Sequence, residues 1–152
     1  MPARGRLAAM KDDISGPSLA SAALRIHQGR MRVSVENIAN ARSTASAPDG
    51  EPYRRKIAVF EPITGNTEEA PAIRIVRDKT EFPTVHSPGH PAADAGGNLK
   101  LPNVRPTVEM SELRSAMRAY EANLRTIATF DDLKGKTLAL LKSLCHRPES
   151  LS

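Results

Sequence analysis

The chain has 152 residues, 39% of them hydrophobic but only 3% aromatic, with no Trp; this length allows one domain or a small domain with long appendages and leaves any self-contained core thin. Its 22 Lys and Arg against 17 Asp and Glu give a net charge of +5, yet Arg54-Arg55-Lys56 is the one dense basic run, and beside a single Tyr it reads as a solvated strand edge rather than a nucleic-acid groove. The lone cysteine, Cys145, excludes an internal disulfide or a Cys-based metal site, and no window approaches the ~18 apolar residues of a membrane span.

Residues 1–13 form a leader. It holds Arg4, Arg6 and Lys11 around Leu7-Ala8-Ala9-Met10, an apolar stretch too short for a secretory signal. The leader is expected to be disordered, or translation to start at Met10. Nine of the twelve prolines lie between Pro48 and Pro106, and none lies in 18–47 or 107–147. Proline removes a donor and clashes with the preceding helical turn, so helices are expected in two arms that flank a proline-rich middle.

The first arm, 14–47, is expected to be helical from about Ser18 to Ala41, after Ser15-Gly16-Pro17-Ser18, where a serine can cap and proline fits the first turn. Leu19, Ala23, Ile26 and Val33 share one face, while Ala20, Leu24, Met31, Val35 and Ile38 lie beside it. This apolar arc is wider than a two-stranded seam needs and suits several neighbours. Gly29 is a weak point there, costing ~1 kcal/mol against Ala unless packing offsets it.

The middle, 48–106, offers short β-like runs at Tyr53–Phe60, Ala72–Asp78, Phe82–His86 and Asn98–Leu101. Turn signals separate them at Pro48-Asp49-Gly50, Thr64-Gly65-Asn66, Ser87-Pro88-Gly89 and Ala95-Gly96-Gly97. The second arm, 107–145, is expected to start with Thr107 as N-cap and Glu109 favourably placed against the helix dipole. Leu113, Met117, Tyr120, Leu124, Ile127, Leu138, Leu141 and Cys145 fall at steps of four and three, a heptad rhythm interrupted by Asp131 and Lys134. Phe130, Leu133, Leu140 and Leu144 form a second apolar set, and Gly135 permits a kink. Residues 146–152 form a tail.

The fold class expected is thus mainly α with a small β insert, the N- and C-terminal helices pairing as a coiled-coil-like stem around a Pro/Gly-rich β region. A helix over 108–145 would span roughly 55 Å, against a radius of gyration of about 15 Å for a compact chain of this size. Its stripes must therefore meet the first arm, other copies or homologous subunits, and alone the arms should be partly disordered. The alternative is a bent antiparallel hairpin that closes on itself.

Candidate chemistry is sparse. His86, His90 and Asp94 have an H-x3-H-x3-D spacing that could converge on Zn²⁺ from a helix, but Pro88, Gly89 and Pro91 forbid that helix and a turn-rich loop is expected. His27 and His146 read as packed or solvated. The sequence has no G-x-S-x-G elbow, no Cys with a plausible His partner and no phosphate-cradling loop. Asp131-Asp132 and Glu68-Glu69 read as surface charges. No metal, no cofactor and no enzymatic activity are expected.

Ser34-Val35-Glu36-Asn37-Ile38-Ala39-Asn40-Ala41 is similar to the A-x-x-N-[IL]-A-N-x motif of flagellar axial proteins. Pro48-Asp49-Gly50-Glu51-Pro52-Tyr53-Arg54-Arg55, Pro88-Gly89-His90-Pro91 with Ala93-Asp94-Ala95, Pro102-Asn103-Val104, Tyr120-Glu121-Ala122-Asn123 and Lys136-Thr137-Leu138 complete the pattern. On these residues, roughly 14–142, the chain resembles the flagellar basal-body rod proteins, and their proximal-rod members above all. Ala128-Thr129-Phe130-Asp131 and Gly135 depart from the usual pattern, so the last helix is expected to pack atypically; Arg42-Ser43-Thr44 departs after the first arm.

The resemblance implies a structural subunit of the periplasmic rod. It would be exported unfolded by flagellar type III secretion and would self-assemble through its terminal helices to transmit torque. Its partners would be copies of itself, other rod subunits, the export apparatus and the MS-ring adaptor protein, with no nucleic acid and no direct membrane insertion. The expected assembly interface is Leu19, Leu24, Ile26, Met31, Val35, Asn37, Ile38, Asn40, Leu113, Met117, Tyr120, Asn123, Leu124, Ile127, Leu138 and Leu141. The motif asparagines Asn37 and Asn40 would cap or cross-link the turn after the first helix, or serve as ordinary helix C-caps. The alternatives are another axial rod or junction protein, or a small basic nucleic-acid binder.

Overall fold

A computed structural model describes residues 16–48, 50–61 and 72–145. Among them run α1 (Gly16–Ala39), β1 (Lys56–Glu61), β2 (Ala72–Arg77), β3 (Thr84–His86), β4 (Asn98–Lys100) and α2 (Pro106–Cys145). In chain order two long helices thus flank a small antiparallel β region, as the proline distribution requires. The leader 1–13, Ser15, the Thr64-Gly65-Asn66 turn and the tail with His146 lie outside the described residues.

α1 starts two residues earlier than expected because Pro17 sits in the first turn, where a missing N–H costs nothing. It ends earlier because Asn40 folds back on it. The Asn40 amide and its side-chain Nδ2 both donate to the Glu36 carbonyl, at 3.1 and 2.9 Å, and Ser43 returns its amide and hydroxyl to the Asn40 carbonyl. At the start of α2, Thr107 is not the cap. Pro106 takes the first helical position, and the Arg105 carbonyl accepts from the amides of Val108 and Glu109 at 3.0 and 3.1 Å. α2 then runs unbroken through Gly135, which is open to its surroundings. Gly135 does not interrupt the helix, because a single glycine only weakens one whose remaining backbone bonds are intact.

The β region is two separate two-stranded sheets rather than one. β1 pairs with β2 from Lys56↔Arg77 to Glu61↔Ala72, and β3 with β4 from Thr84↔Lys100 to His86↔Asn98. β1 begins at Lys56, not Tyr53, because the amides of Arg55 and Lys56 are taken by side chains: Asn103 Oδ1 at 2.7 Å and Asn37 Oδ1 at 2.9 Å. β3 is shortened by Pro83, which accepts from the Leu101 amide at 2.8 Å but has no N–H to return. The loop joining β3 to β4 closes at Gly97, whose φ of +75° suits glycine, and a Cβ there would lie 2.9 Å from His86 Cε1.

The chain divides into two compact units. The larger, Arg25–Ala119, contains both sheets and a core of Val33, Ala92, Leu99, Val104 and Ala116 around buried Ser34, Asn37 and Glu109. Gly29 has its packing compensation here: a Cβ would stand 2.5 Å from Ile73 Cδ1, so the β2 side chain occupies the notch in α1. Arg30 and Glu112 join α1 to α2 by an ion pair at 2.9 Å. The smaller unit comprises the stretches 1–24 and 120–152. Its described buried apolar residues are Ala20 and Ala22, and the Phe130 ring closes on Gly16, with Cζ 2.3 Å from where a Cβ would stand.

Candidate functional site

The densest polar construction in the described chain is a buried node in the larger unit. At its centre, Asn37 is 0% exposed and uses all four hydrogen-bonding directions of its amide. Nδ2 donates to the Lys56 carbonyl at 2.8 Å and to Glu109 Oε2 at 3.0 Å. Oδ1 accepts from the Tyr53 hydroxyl at 3.0 Å and from the Lys56 amide at 2.9 Å. One side chain on the last turn of α1 therefore fixes the beginning of β1 and the first turn of α2.

Glu109, 2% exposed, accepts from Arg55 Nε at 2.6 Å through its other oxygen, and Arg55 reaches on to Asp78 Oδ2 at 3.3 Å. Lys56 Nζ pairs with Glu36. Outside this layer Asn103 ties Thr80, and Arg54 donates to the Asp78 and Thr80 carbonyls while lying 4.1 Å from the Phe82 ring centroid. The dense basic run is thus not a solvated strand edge. Each of its cations has a partner in the fold, because the chain turns Glu36, Asp78 and Glu109 toward it from three other segments. Of these charges only Glu109 is fully buried, so removing Arg55, which leaves that carboxylate without its cation, costs on the order of 3 kcal/mol, whereas the Lys56–Glu36 pair, about a third exposed, contributes about 1 kcal/mol or less.

The electrostatics follow from this enclosure. Burial first, then the negative charges of Glu36 and Glu109, pushes the Tyr53 hydroxyl up to about 12. Burial works against the Arg55 guanidinium, but the hydrogen bond and charge of Glu109, followed by those of Asp78, outweigh it and raise its pKa overall. The Thr80 amide, the Thr80 side chain and Arg55 hold the Asp78 carboxyl below its usual range against a desolvation penalty. His27, on α1, is lowered by burial and then by Arg30, and its Nδ1 is buried with no hydrogen-bond partner. Every polar group of the node is engaged in holding backbone segments together, so its chemistry is structural.

The H-x3-H-x3-D segment forms a turn-rich loop. His90 Nδ1 accepts from the Ala92 amide at 3.1 Å, and Asp94 Oδ1 accepts from the amides of Gly96 and Asn98 at 2.9 and 2.8 Å. Among the described residues no group of three or more His, Cys, Asp or Glu is placed to hold a metal ion, and no helix is long and apolar enough to cross a membrane.

Of the residues expected at an assembly interface, Leu19, Val35, Met117, Leu124, Leu138 and Leu141 are exposed. Leu24, Ile26, Met31, Ile38, Asn40, Leu113, Tyr120, Asn123 and Ile127 are half-buried. Asn37 is enclosed by its own chain. The residues that sequence reasoning passed over are Tyr53, Arg55, Asp78, Asn103 and Glu109. Three of them carried a signal: Asn103 lies in the Pro102-Asn103-Val104 motif, and Tyr53 and Arg55 close the proline-rich one, but neither motif says which groups meet.

An asparagine-centred lock joins α1, β1 and α2, and apolar side chains stay exposed on both helices. Comparison with known proteins places the class. Residues 95–140 match the family model described as flagellar basal body rod FlgEFG protein C-terminal. The chain is 38% identical over 136 residues to the flagellar basal-body rod protein FlgC of Agrobacterium fabrum, a match covering 87% of this chain and 98% of that protein. It is 40% identical over 125 residues to FlgC of Yersinia enterocolitica and 35% identical over 125 residues to FlgC of Salmonella typhimurium, each covering 80% of this chain and 92% of the relative. The chain belongs to the FlgC family of flagellar basal-body rod proteins, and it is a structural subunit of the proximal rod.

Proposed function

We propose that the chain assembles through its terminal helices, which pair as a coiled-coil-like stem and pack lengthwise against neighbours to make a rigid, torque-transmitting wall. The larger unit supplies a preformed, internally satisfied block, and the smaller one supplies adhesive surface. The observation that carries this reading is the contrast between them. In the larger unit even the buried charges are paired, whereas Leu19, Leu124, Leu138 and Leu141 stay exposed on the helices of the smaller one.

The partners are copies of the chain and other rod subunits, reached in the periplasm after export through the flagellar type III apparatus, with an MS-ring adaptor protein at the base. Weakly autonomous ends suit passage through a narrow channel, since little packing must be undone before threading. The chain has no enzymatic role, in keeping with relatives that are rod proteins and with a node whose polar groups are all engaged. The functional divisions are 14–47 and 107–145 as assembly arms and 48–106 as the insert between them. Deleting the coding sequence should abolish rods and swimming, as seen by electron microscopy of the cell envelope. Normal rods in the deletion strain would remove the reading.

A further inference from the structure

α1 carries a titratable side chain that neither the polar node nor the apolar faces use. His27 stands seven residues from Ala20 and seven from Ser34, a spacing that returns a helical residue to within about 20° of the same line, and both of those residues are 5% exposed. The sequence thus sets an imidazole in the middle of a buried line whose flanking members are small. Its Nδ1 is enclosed and meets no hydrogen-bond partner among the described residues. A neutral imidazole bears this at modest cost. Protonation makes donors of both ring nitrogens and adds a charge, with no acceptor at Nδ1 to bind it.

The surrounding charged groups do not supply one. On α1, Arg30 lies three residues on, close enough on a helix surface for like charges to repel, and Arg25, two residues back, is exposed on nearly the opposite side. From α2, Glu112 is bonded to Arg30 at 2.9 Å, and Glu109 is taken by Arg55 and Asn37. From β2, Ile73 fills the notch at Gly29, and Arg74 beside it is paired with Glu61. Burial first, then Arg30, accordingly hold the His27 pKa below its ordinary 6.5.

We infer that His27 is an acid-sensitive joint: the stretch 27–30 seats α1 against α2 and β2 while the ring is neutral, and that seat loosens when the ring takes up a proton. Two of the contacts that hold α1 in the larger unit, the Arg30–Glu112 pair and the Ile73 notch at Gly29, fall within three residues of it, so a ring that must turn toward water to carry its charge disturbs both. The free chain is a tight block in neutral medium and a loosened one in mildly acid medium, a property beyond its part in the rod.

Because folding lowers this pKa, the unfolded chain takes up the proton first. Stability is complete above about pH 6.5 and falls as the pH drops from there toward the folded value, the folding equilibrium constant by up to about tenfold per pH unit. The perturbed carboxylates act lower on the scale. Asp78 and Asp94 have folded pKa values below the usual 3.8, so what they contribute is lost only in stronger acid.

The test is made on the full chain. Imidazole proton resonances followed by NMR through the histidine range, with the His27 signal assigned by its absence from His27→Gln, give the titration midpoint in the wild type. Urea unfolding followed by circular dichroism at about pH 7.5 and about pH 5.5, on either side of the free histidine value, gives the stability of the wild type, His27→Leu and His27→Gln. The expected results are a His27 midpoint below 6.5 and a wild-type urea midpoint that falls further in acid than that of either variant, both of which keep His86, His90 and His146. A His27 midpoint at or above 6.5 overturns the joint, and it needs no variant to fold in order to be read if the signal is assigned by isotope labelling instead. Parallel loss of stability in the wild type and whichever variant folds overturns it equally, and leaves the rod-subunit reading untouched.

Discussion

Replacing Asn37 with Ala isolates the contribution of the buried lock. The substitution removes four hydrogen bonds and strands the Lys56 amide and carbonyl, the Tyr53 hydroxyl and one oxygen of Glu109 in a site that is 0% exposed. Neutral bonds contribute about 1 kcal/mol each and one to a carboxylate about 1.5–3 kcal/mol. Water entering the vacated space recovers part of this, which leaves a net loss of about 3–4 kcal/mol. For a unit the size of 25–119, each kcal/mol moves the melting temperature by about 4–8 °C, so Asn37→Ala should melt at least ~12 °C lower. Thermal and urea unfolding of the full chain, followed by circular dichroism, measures it. Asn40→Ala serves as the internal standard. It gives up one bond to a helix carbonyl and should cost about 1 kcal/mol. Equal losses for the two variants, or a loss under about 1 kcal/mol for Asn37→Ala, would refute the claim that Asn37 locks the three segments. Asn37→Asp should be as damaging at neutral pH, because it sets a second carboxylate beside Glu109, and should recover in part as acid restores a proton to donate.

The folded Tyr53 pKa is raised, so its contribution to stability is complete below about pH 10, the unfolded value, and is lost as pH climbs toward about 12. In a Tyr120→Phe background, tyrosinate absorbance should therefore lag the free phenol by more than one pH unit until the chain unfolds; a midpoint near 10 in the folded state would contradict the enclosure described. Gly29→Ala should be nearly neutral, since its helix gain of ~1 kcal/mol is offset by displacing Ile73 Cδ1, which lies in its way. Adding Ile73→Val, which removes that carbon, should reveal the gain, and a double-mutant cycle with no coupling would reject the notch. Leu124→Asp changes a side chain that is exposed in the single chain, so its unfolding midpoint should shift by no more than about 0.5 kcal/mol, while incorporation into rods, scored by immunoblot of basal bodies, should be lost. Unimpaired incorporation would exclude this position from the assembly surface.

The predictions rest on features of unequal visibility. The two helices and the β region between them can be read from proline placement, because a missing donor and a fixed φ act locally and need no knowledge of the rest of the fold. The end of α1 at Ala39 rather than Ala41 has a different cause: the side chains of Asn40 and Ser43 bond to carbonyls at the helix end, which proline placement does not report. α2 starts at Pro106 and not after a Thr107 cap, because Pro at the first helical position competes with a side-chain cap and the sequence does not say which prevails. Glu109 shows the limit more sharply. In sequence it is an acidic residue in a first turn, suited to a dipole; in the fold it is a buried anion bound by Arg55 and Asn37, residues 54 and 72 positions away.

Local steric and hydrogen-bonding rules thus set where this chain is helical, where it turns and which helix faces are apolar, and motif spacing set its kinship. The pairing of Asn37 with Tyr53, Lys56 and Glu109, the seating of Ile73 against Gly29 and the separation of the strands into two sheets were decided by folding. Each depends on groups brought together across tens of residues, and the energy of a hydrogen bond or ion pair depends on what surrounds it and how much water is excluded. Neither is encoded in the order of residues until the chain has closed around them.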